Sequence, residues 1–575
     1  MRCWVVWIVC MGCAAAGASD SWIERSDAIA LEILSRQAAF QPEGAAGVGL
    51  AGFDEAIVDL GPNRFERLQA LDEDVVATLD AALADAEDPR LVQDLKILKQ
   101  ATQDQAAARA VARAHLIPYF DLPRTLFQSV RTLLDPRIDA SRRASVITRL
   151  NRYAGLQEGY QPLVELAQAR TRERLDVDGL VGPYIGELEN SFASAPRYLA
   201  GMEQMLGESQ LSGWQAPLEA LKQQLAAYRE WLDEHLVPRA RAESQLPPAV
   251  YRSNLRSRGV NATPEELIRE GQIAYQFIRT EMKALARAIA ADRGWKDGSL
   301  LAVMRALKAE QIPEDEVLAT YQARLEEIEV IIRREDIITL PERDAVIRMA
   351  TDAEAAAVPA PFMSPPQLIN NTGQYGEFVL VRSNPTLGAE AQMDDWSHNA
   401  ITWGLTVHEA RPGHELQFAS LVENGTSLAR ALFAFNSANV EGWGLYSEAI
   451  MHEYLPLDGQ LFSLWMRLMR AARMFLDPMV NTGQITRDEA ERFLIEQCGL
   501  SKPMASSEAD RYAFWLPGQA TAYYYGYQHL LQLRTDAELR LGERFDQKAF
   551  HDFIIEQGLL PPEMLREAVE AEFYR

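Results

Sequence analysis

Histidine is scarce in this chain: eight in 575 residues. Cysteine is scarcer, with four, and Cys3, Cys10 and Cys13 fall in the first thirteen positions. Without that leader, Cys498 stands alone and no intramolecular disulfide can form. A chain of this length does not need such staples, because it can bury a large core. Cys498, between Gln497 and Gly499, reads as a buried small hydrophobe rather than a nucleophile. Basic charge is also short: 57 Lys and Arg face 82 Asp and Glu, a formal net charge of −25. That balance argues against nucleic acid and against docking on an anionic membrane. It says little about the substrate, since most acids belong on solvated helix faces. Internal repeats are absent.

What is present is an ordinary globular balance, 48% apolar and 24% charged. Arg2, a short apolar run and Ala16-Gly17-Ala18 read as a secretory signal peptide over residues 1–18, which places the mature chain in the periplasm. The apolar run is too short for a comfortable membrane span. The alternative is a lipoprotein with a lipid anchor at Cys13, although Cys10-Met11-Gly12 is a poor match to the usual leucine-rich signal.

The spacing of apolar residues predicts helices along most of the chain. They cover 21–37, two stretches between 65 and 114 broken near Asp88-Pro89, then 141–153, 160–176, 184–206 and 215–236. Residues 42–61 read as an extended loop, and 238–259 as a connection with a soft boundary. The expected division is an N-terminal helical portion, 19–245, and a C-terminal one, 246–575. Helices resume over 264–291, 300–309 and 313–335. The proline-rich stretch from Val358 to Pro385 interrupts them. Within it Glu377–Val381 is the strand candidate, whose edge could pair with an extended peptide. A later helix carries Trp465, Met466, Met469, Met474 and Phe475, a core pattern. Arg470 and Arg473 share its face, for pairing with core carboxylates or for facing a cleft; the structural role is preferred.

The chemistry concentrates in Thr406-Val407-His408-Glu409-Ala410-Arg411-Pro412-Gly413-His414-Glu415. Two imidazoles can hold a metal, and a neighbouring carboxylate can deprotonate a water. In the common zinc helix the histidines are four apart and share a face. Six residues of regular helix would set them roughly 120° apart. Pro412 cannot donate to the carbonyl of His408, so the helix should break or bulge there. The break would swing His414 back towards His408. The bland alternative is a surface helix with two unrelated histidines. A third ligand is available 27 residues later in Glu441, within Asn439-Val440-Glu441-Gly442-Trp443-Gly444-Leu445-Tyr446-Ser447-Glu448. Glu448 shares a helical face with Glu441 and can orient a histidine from behind, or be a solvated glutamate. Further on, Asp510-Arg511-Tyr512 precedes Pro517-Gly518-Gln519 and a run of tyrosines. Arg511, with Tyr512 beside it, is the candidate for binding a substrate carboxylate. The other histidines have no ligand spacing.

These blocks together resemble the bacterial family known as domain of unknown function 885, whose members are predicted zinc peptidases of the gluzincin kind. The resemblance covers most of the chain beyond the leader. It implies His408, His414 and Glu441 as zinc ligands, Glu409 as general base and Tyr523 as the phenol that donates to an oxyanion. Many members carry a histidine where this chain has Ile485. The expectation is a mainly α, multi-helix zincin-like fold, with a small β element beside a deep active-site cleft. The expected activity is hydrolysis of short peptides by a zinc metallopeptidase. The alternatives are a zinc-dependent hydrolase of non-peptide amides or esters, and a non-catalytic periplasmic metal-binding or scaffold protein.

Overall fold

Capped, helix-forming stretches dominate the sequence, and the computed structural model is mainly helical with a small three-stranded sheet. The structure describes residues 21–351, 354, 360–381 and 393–575. The expected leader and Cys13 lie outside them, as do parts of the proline-rich stretch. Among the described residues, no helix is long and apolar enough to cross a membrane.

The helix α1 (Trp22–Ala38) opens on a capping box between Ser21 and Glu24. The loop expected over 42–61 instead begins with a short helix, α2 (Pro42–Gly47), because Pro42 fits a first turn and Ala45 and Ala46 bury their methyls. Helices α3 (Arg64–Asp85) and α4 (Pro89–His115) form a hairpin broken at Asp88, whose side chain caps Arg90. Helices α5 (Leu122–Leu134), α6 (Ile185–Glu208) and α7 (Gln215–His235) share a core through Leu126, Phe127, Leu188, Met202 and Leu225.

A second, larger core begins at Leu246 and runs to the C-terminus, with Ile97 of α4 reaching into it. The connection between the cores is not bare loop. It holds a turn of tight helix, Val237–Arg239, and α8 (Pro248–Ser257), started by Pro248. The boundary at 245 is crossed by the first hairpin: Nε of Arg430 donates to Asp94 of α4 at 2.9 Å, both side chains buried.

Helix α9 (Pro264–Asp292) starts on a capping box between Thr263 and Glu266, and α10 (Val317–Arg334) follows. The sheet holds β1 (Val346–Met349), β2 (Phe362–Ser364) and β3 (Glu377–Leu380) in the order β1-β3-β2. The expected strand is therefore β3, but it is not an edge. It pairs in parallel with β1 and antiparallel with β2, so β1 and β2 are the edges.

Helices α11 (Asn399–Glu409), α12 (His414–Glu423), α13 (Ser437–Met451), α14 (Leu457–Asn481), α15 (Lys502–Asp510) and α16 (Ala522–Leu541) build the C-terminal half. Trp465, Met466, Met469, Met474 and Phe475 of α14 are core, as their spacing predicts. Helix α14 packs along α9 and also against α11. Helices α13 and α16 approach backbone to backbone: a methyl at Gly526 would stand 1.7 Å from the carbonyl oxygen of Ala438. Cys498 is buried, and burial pushes its thiol up to about 12, as befits a core residue.

Candidate metal centre

The break at Pro412-Gly413 is complete. Helix α11 ends at Glu409 and α12 begins at His414, across a cis Arg411–Pro412 bond. Three sets of contacts fix the intervening turn. Arg411 is buried and donates to Glu415 at 2.8 Å and to Glu329 of α10 at 2.6 Å. The carbonyl of Pro412 accepts from Trp443 Nε1 at 2.9 Å and from Ser447 at 3.3 Å, both on α13. Gly413 lies so close to the end of α11 that a methyl would stand 2.0 Å from the His408 carbonyl oxygen. A side chain cannot fit there.

This turn brings His408 and His414 together, with ring centroids 4.6 Å apart and planes at 77°. Glu441 of α13 completes the group. Its Oε2 lies 3.4 Å from Nε2 of His414 and 3.9 Å from Nε2 of His408. All three ligand atoms fall within 4.8 Å of one another. A tetrahedral zinc with ordinary bonds sets its ligand atoms about 3.3–3.6 Å apart, so this nitrogen, nitrogen and oxygen set fits such an ion with small adjustment. His414 and Glu441 sustain each other. Burial works against both charges, yet their contact raises the imidazole and holds the carboxyl down at about 2. Burial drives His408 the other way, well below its usual range, which keeps it neutral, the form that can bind a metal.

Behind His408 stands Glu448, fully buried, with Oε1 2.8 Å from Nδ1 but off the line of a well-aligned hydrogen bond. It is not a solvated glutamate. Gly444, one turn earlier, gives the ring room: a methyl there would be 2.6 Å from Cε1 of His408. Glu409 is not among the clustered ligands. It is buried, and burial pushes its carboxyl up to about 7, while the backbone of Met363 on β2 pulls it the other way.

Tyr523 opens α16 and joins the same neighbourhood. Its hydroxyl accepts from Arg511 Nη2 at 2.9 Å, and the charge of Glu441 reaches it. Arg511 is not free to take a substrate carboxylate. Its Nη1 lies 3.3 Å from Glu508, and its Nη2 is shared between Gln519 and Tyr523. Tyr512 is not a substrate contact either. It is fully buried and donates to Glu508 at 3.0 Å. The reason is local: residues 511–515 form a π-helical turn, which sends Tyr512 into the core. Glu508, which the sequence did not single out, organises this corner, because Arg473 also donates to it at 2.6 and 2.7 Å. Arg473 thus has the structural role expected. Ile485 packs against the main core. Of the other histidines, His398 and His551 are fully buried.

A family model described as bacterial protein of unknown function, DUF885, matches residues 42–569. The chain belongs to this family. No curated protein matches the chain. Two solved structures share the fold. One, described as a candidate lipoprotein from Colwellia psychrerythraea, is 20% identical with a TM-score of 0.76, over 96% of this chain and 99% of that one. Another, described as a candidate lipoprotein of unknown function from Shewanella oneidensis, is 16% identical with a TM-score of 0.74, over 96% of this chain and 100% of that one.

Proposed function

We propose that this protein is a secreted zinc metallopeptidase that hydrolyses short peptides. The observation that carries the reading is Glu409, a buried carboxylate next to a convergent His408, His414 and Glu441 set but outside it. A purely structural metal site has no use for such a group. His408, His414 and Glu441 would hold zinc, with Glu448 setting the ring of His408. When bound, the metal would polarise a scissile carbonyl and lower the pKa of an attacking water.

The chain's own groups do the rest. Glu409 takes a proton on its carboxylate from the attacking water and delivers it to the departing amine. The hydroxyl of Tyr523 already accepts from Arg511, so its own proton is free for a developing oxyanion. Strand β2 lies at the sheet edge beside Glu409, where an extended peptide can add main-chain hydrogen bonds. The two similar structures are described as candidate lipoproteins, which supports passage across the inner membrane. The mature chain is then either free in the periplasm or anchored through Cys13. Hydrolysis of non-peptide amides or esters is the second reading the same donor set allows. Chelation should abolish turnover of short peptides, and added zinc should restore it, in an assay run beside a panel of esters. Peptide turnover that survives chelation contradicts the proposal, and turnover of esters alone moves it to the second reading.

A further inference from the structure

The buried Arg149 has no carboxylate but donates to Ser129 and to the carbonyl of Phe53. The buried cations Lys308, Arg411, Arg430 and Arg473 each sit against a carboxylate. Arg470 does not. It is 4% exposed, and its Nη1 donates at 3.2 Å to the carbonyl of Met466 in its own helix. Its Nε is buried without a partner. No carboxylate among the described residues reaches it at ion-pair distance. An unpaired buried guanidinium is costly, and truncating or pairing it is the usual remedy.

Its position explains what could pair with it. The charge of Arg470 acts on His408, Glu409, His414 and Glu448, and Glu448 and Glu441 act on it in turn from beyond ion-pair distance. Its Cζ lies 5.8 Å from the ring of Tyr523. Arg473 and Arg511 flank the same ring, at 4.6 and 5.2 Å, but both are held by Glu508. Three guanidinium groups therefore surround one phenol, and Arg470 is the one with no acid at ion-pair distance. A guanidinium fork matches a carboxylate in two parallel hydrogen bonds.

We propose that Arg470 receives a carboxylate of the substrate, so that this centre takes peptides presenting a carboxylate close to the bond to be cleaved. The inference rests on the peptidase reading. The carboxylate has two sources, a free C-terminus or an acidic side chain, and the chemistry at Arg470 is the same.

Binding rather than turnover tests it, by calorimetry on the full chain carrying Glu409→Gln. The probes are N-acetyl-trialanine as the free acid, the same peptide as its C-terminal amide, and the amide with glutamate in the last position. At least one acidic probe should bind tenfold or more tightly than the neutral amide. Preference for the free acid assigns the chain terminus, and preference for the glutamyl amide assigns the side chain. Adding Arg470→Met should reduce the preference to twofold or less. If that variant does not fold, Arg470→Lys keeps the charge but not the fork, and the preference should fall at least fivefold. Equal binding of the three probes, no binding of the acids at millimolar concentration, or a preference untouched by the substitution overturns the proposal. Zinc titration of the same protein separates the two readings. Acid preference without zinc uptake removes the peptidase reading alone, and zinc uptake without acid preference removes the role of Arg470 alone.

Discussion

At Gly444 a methyl group would meet Cε1 of the His408 ring at 2.6 Å. Neither the ring nor the backbone of α13 can yield without moving a ligand. Gly444→Ala is expected to lower zinc affinity at least about tenfold, the scale seen when support around a metal ligand is disturbed. The far-ultraviolet circular dichroism should stay unchanged. Competition with a chromophoric chelator measures the effect, and unaltered affinity would count against the placement of His408. Much at this scale was legible. Two scarce histidines around a Pro-Gly pair announced His408 and His414, and Glu441 followed from the next polar block. The lack of a paired acid at Arg470 was not legible. Arg470 and Arg473 look alike in sequence, and only the arrival of Glu508 from another helix pairs one and leaves the other bare. The buried place of Tyr512 was hidden for a similar reason: a π-helical turn changes which side chain faces inward.

Among the elements, α13 both supplies Glu441 and pins the break between α11 and α12. Trp443→Phe keeps most of the packing but removes the indole donor, leaving Pro412 with the 3.3 Å contact from Ser447. The expected cost is about 1 kcal/mol of stability, the usual worth of one hydrogen bond, read from the urea midpoint. Zinc affinity should fall with it. A variant of unchanged stability and affinity would show that the turn holds without α13. Caps and prolines made most helices readable, as at Ser21, Asp88 and Thr263. The sheet was harder. Strand β2 spans only three residues, too few to show an alternation. Without β2 the sequence shows β3 as a lone strand, and its central place in the sheet stays hidden.

For the whole molecule, acid stability should reflect buried ionisable groups of both kinds. His551 is enclosed, with Nδ1 2.8 Å from the Ile337 carbonyl and Nε2 2.9 Å from the hydroxyl of Tyr446. Burial pushes its pKa down to about 4. The native state therefore stays neutral while the unfolded chain takes up a proton below about 6.5. Its contribution is full above that pH and is lost as pH falls towards 4. Glu187 and Asp477 act in the opposite sense, since burial lifts both to about 7 and the native state gains protons first. The histidine term is thus isolated by difference. Denaturant unfolding of the wild type and His551→Gln should show a gap that narrows by about 2 kcal/mol between pH 7 and pH 4.5. A gap independent of pH contradicts the neutral, enclosed state of His551. The stretch 238–259, read from the sequence as a connection, runs between the core of α5, α6 and α7 and the larger core that begins at Leu246. The bond between Arg430 and Asp94, which ties the first hairpin to the far half, was not legible, because 336 residues separate its partners.

The most direct measurement is mass spectrometry of a defined mixture of short peptides after incubation with zinc-loaded protein, beside Glu409→Gln carrying the same metal content. New fragments from the wild type, with their rate reduced at least about a hundredfold in Glu409→Gln at full zinc occupancy, are the predicted result. No fragments from the wild type, or equal fragmentation by both proteins, would contradict the account.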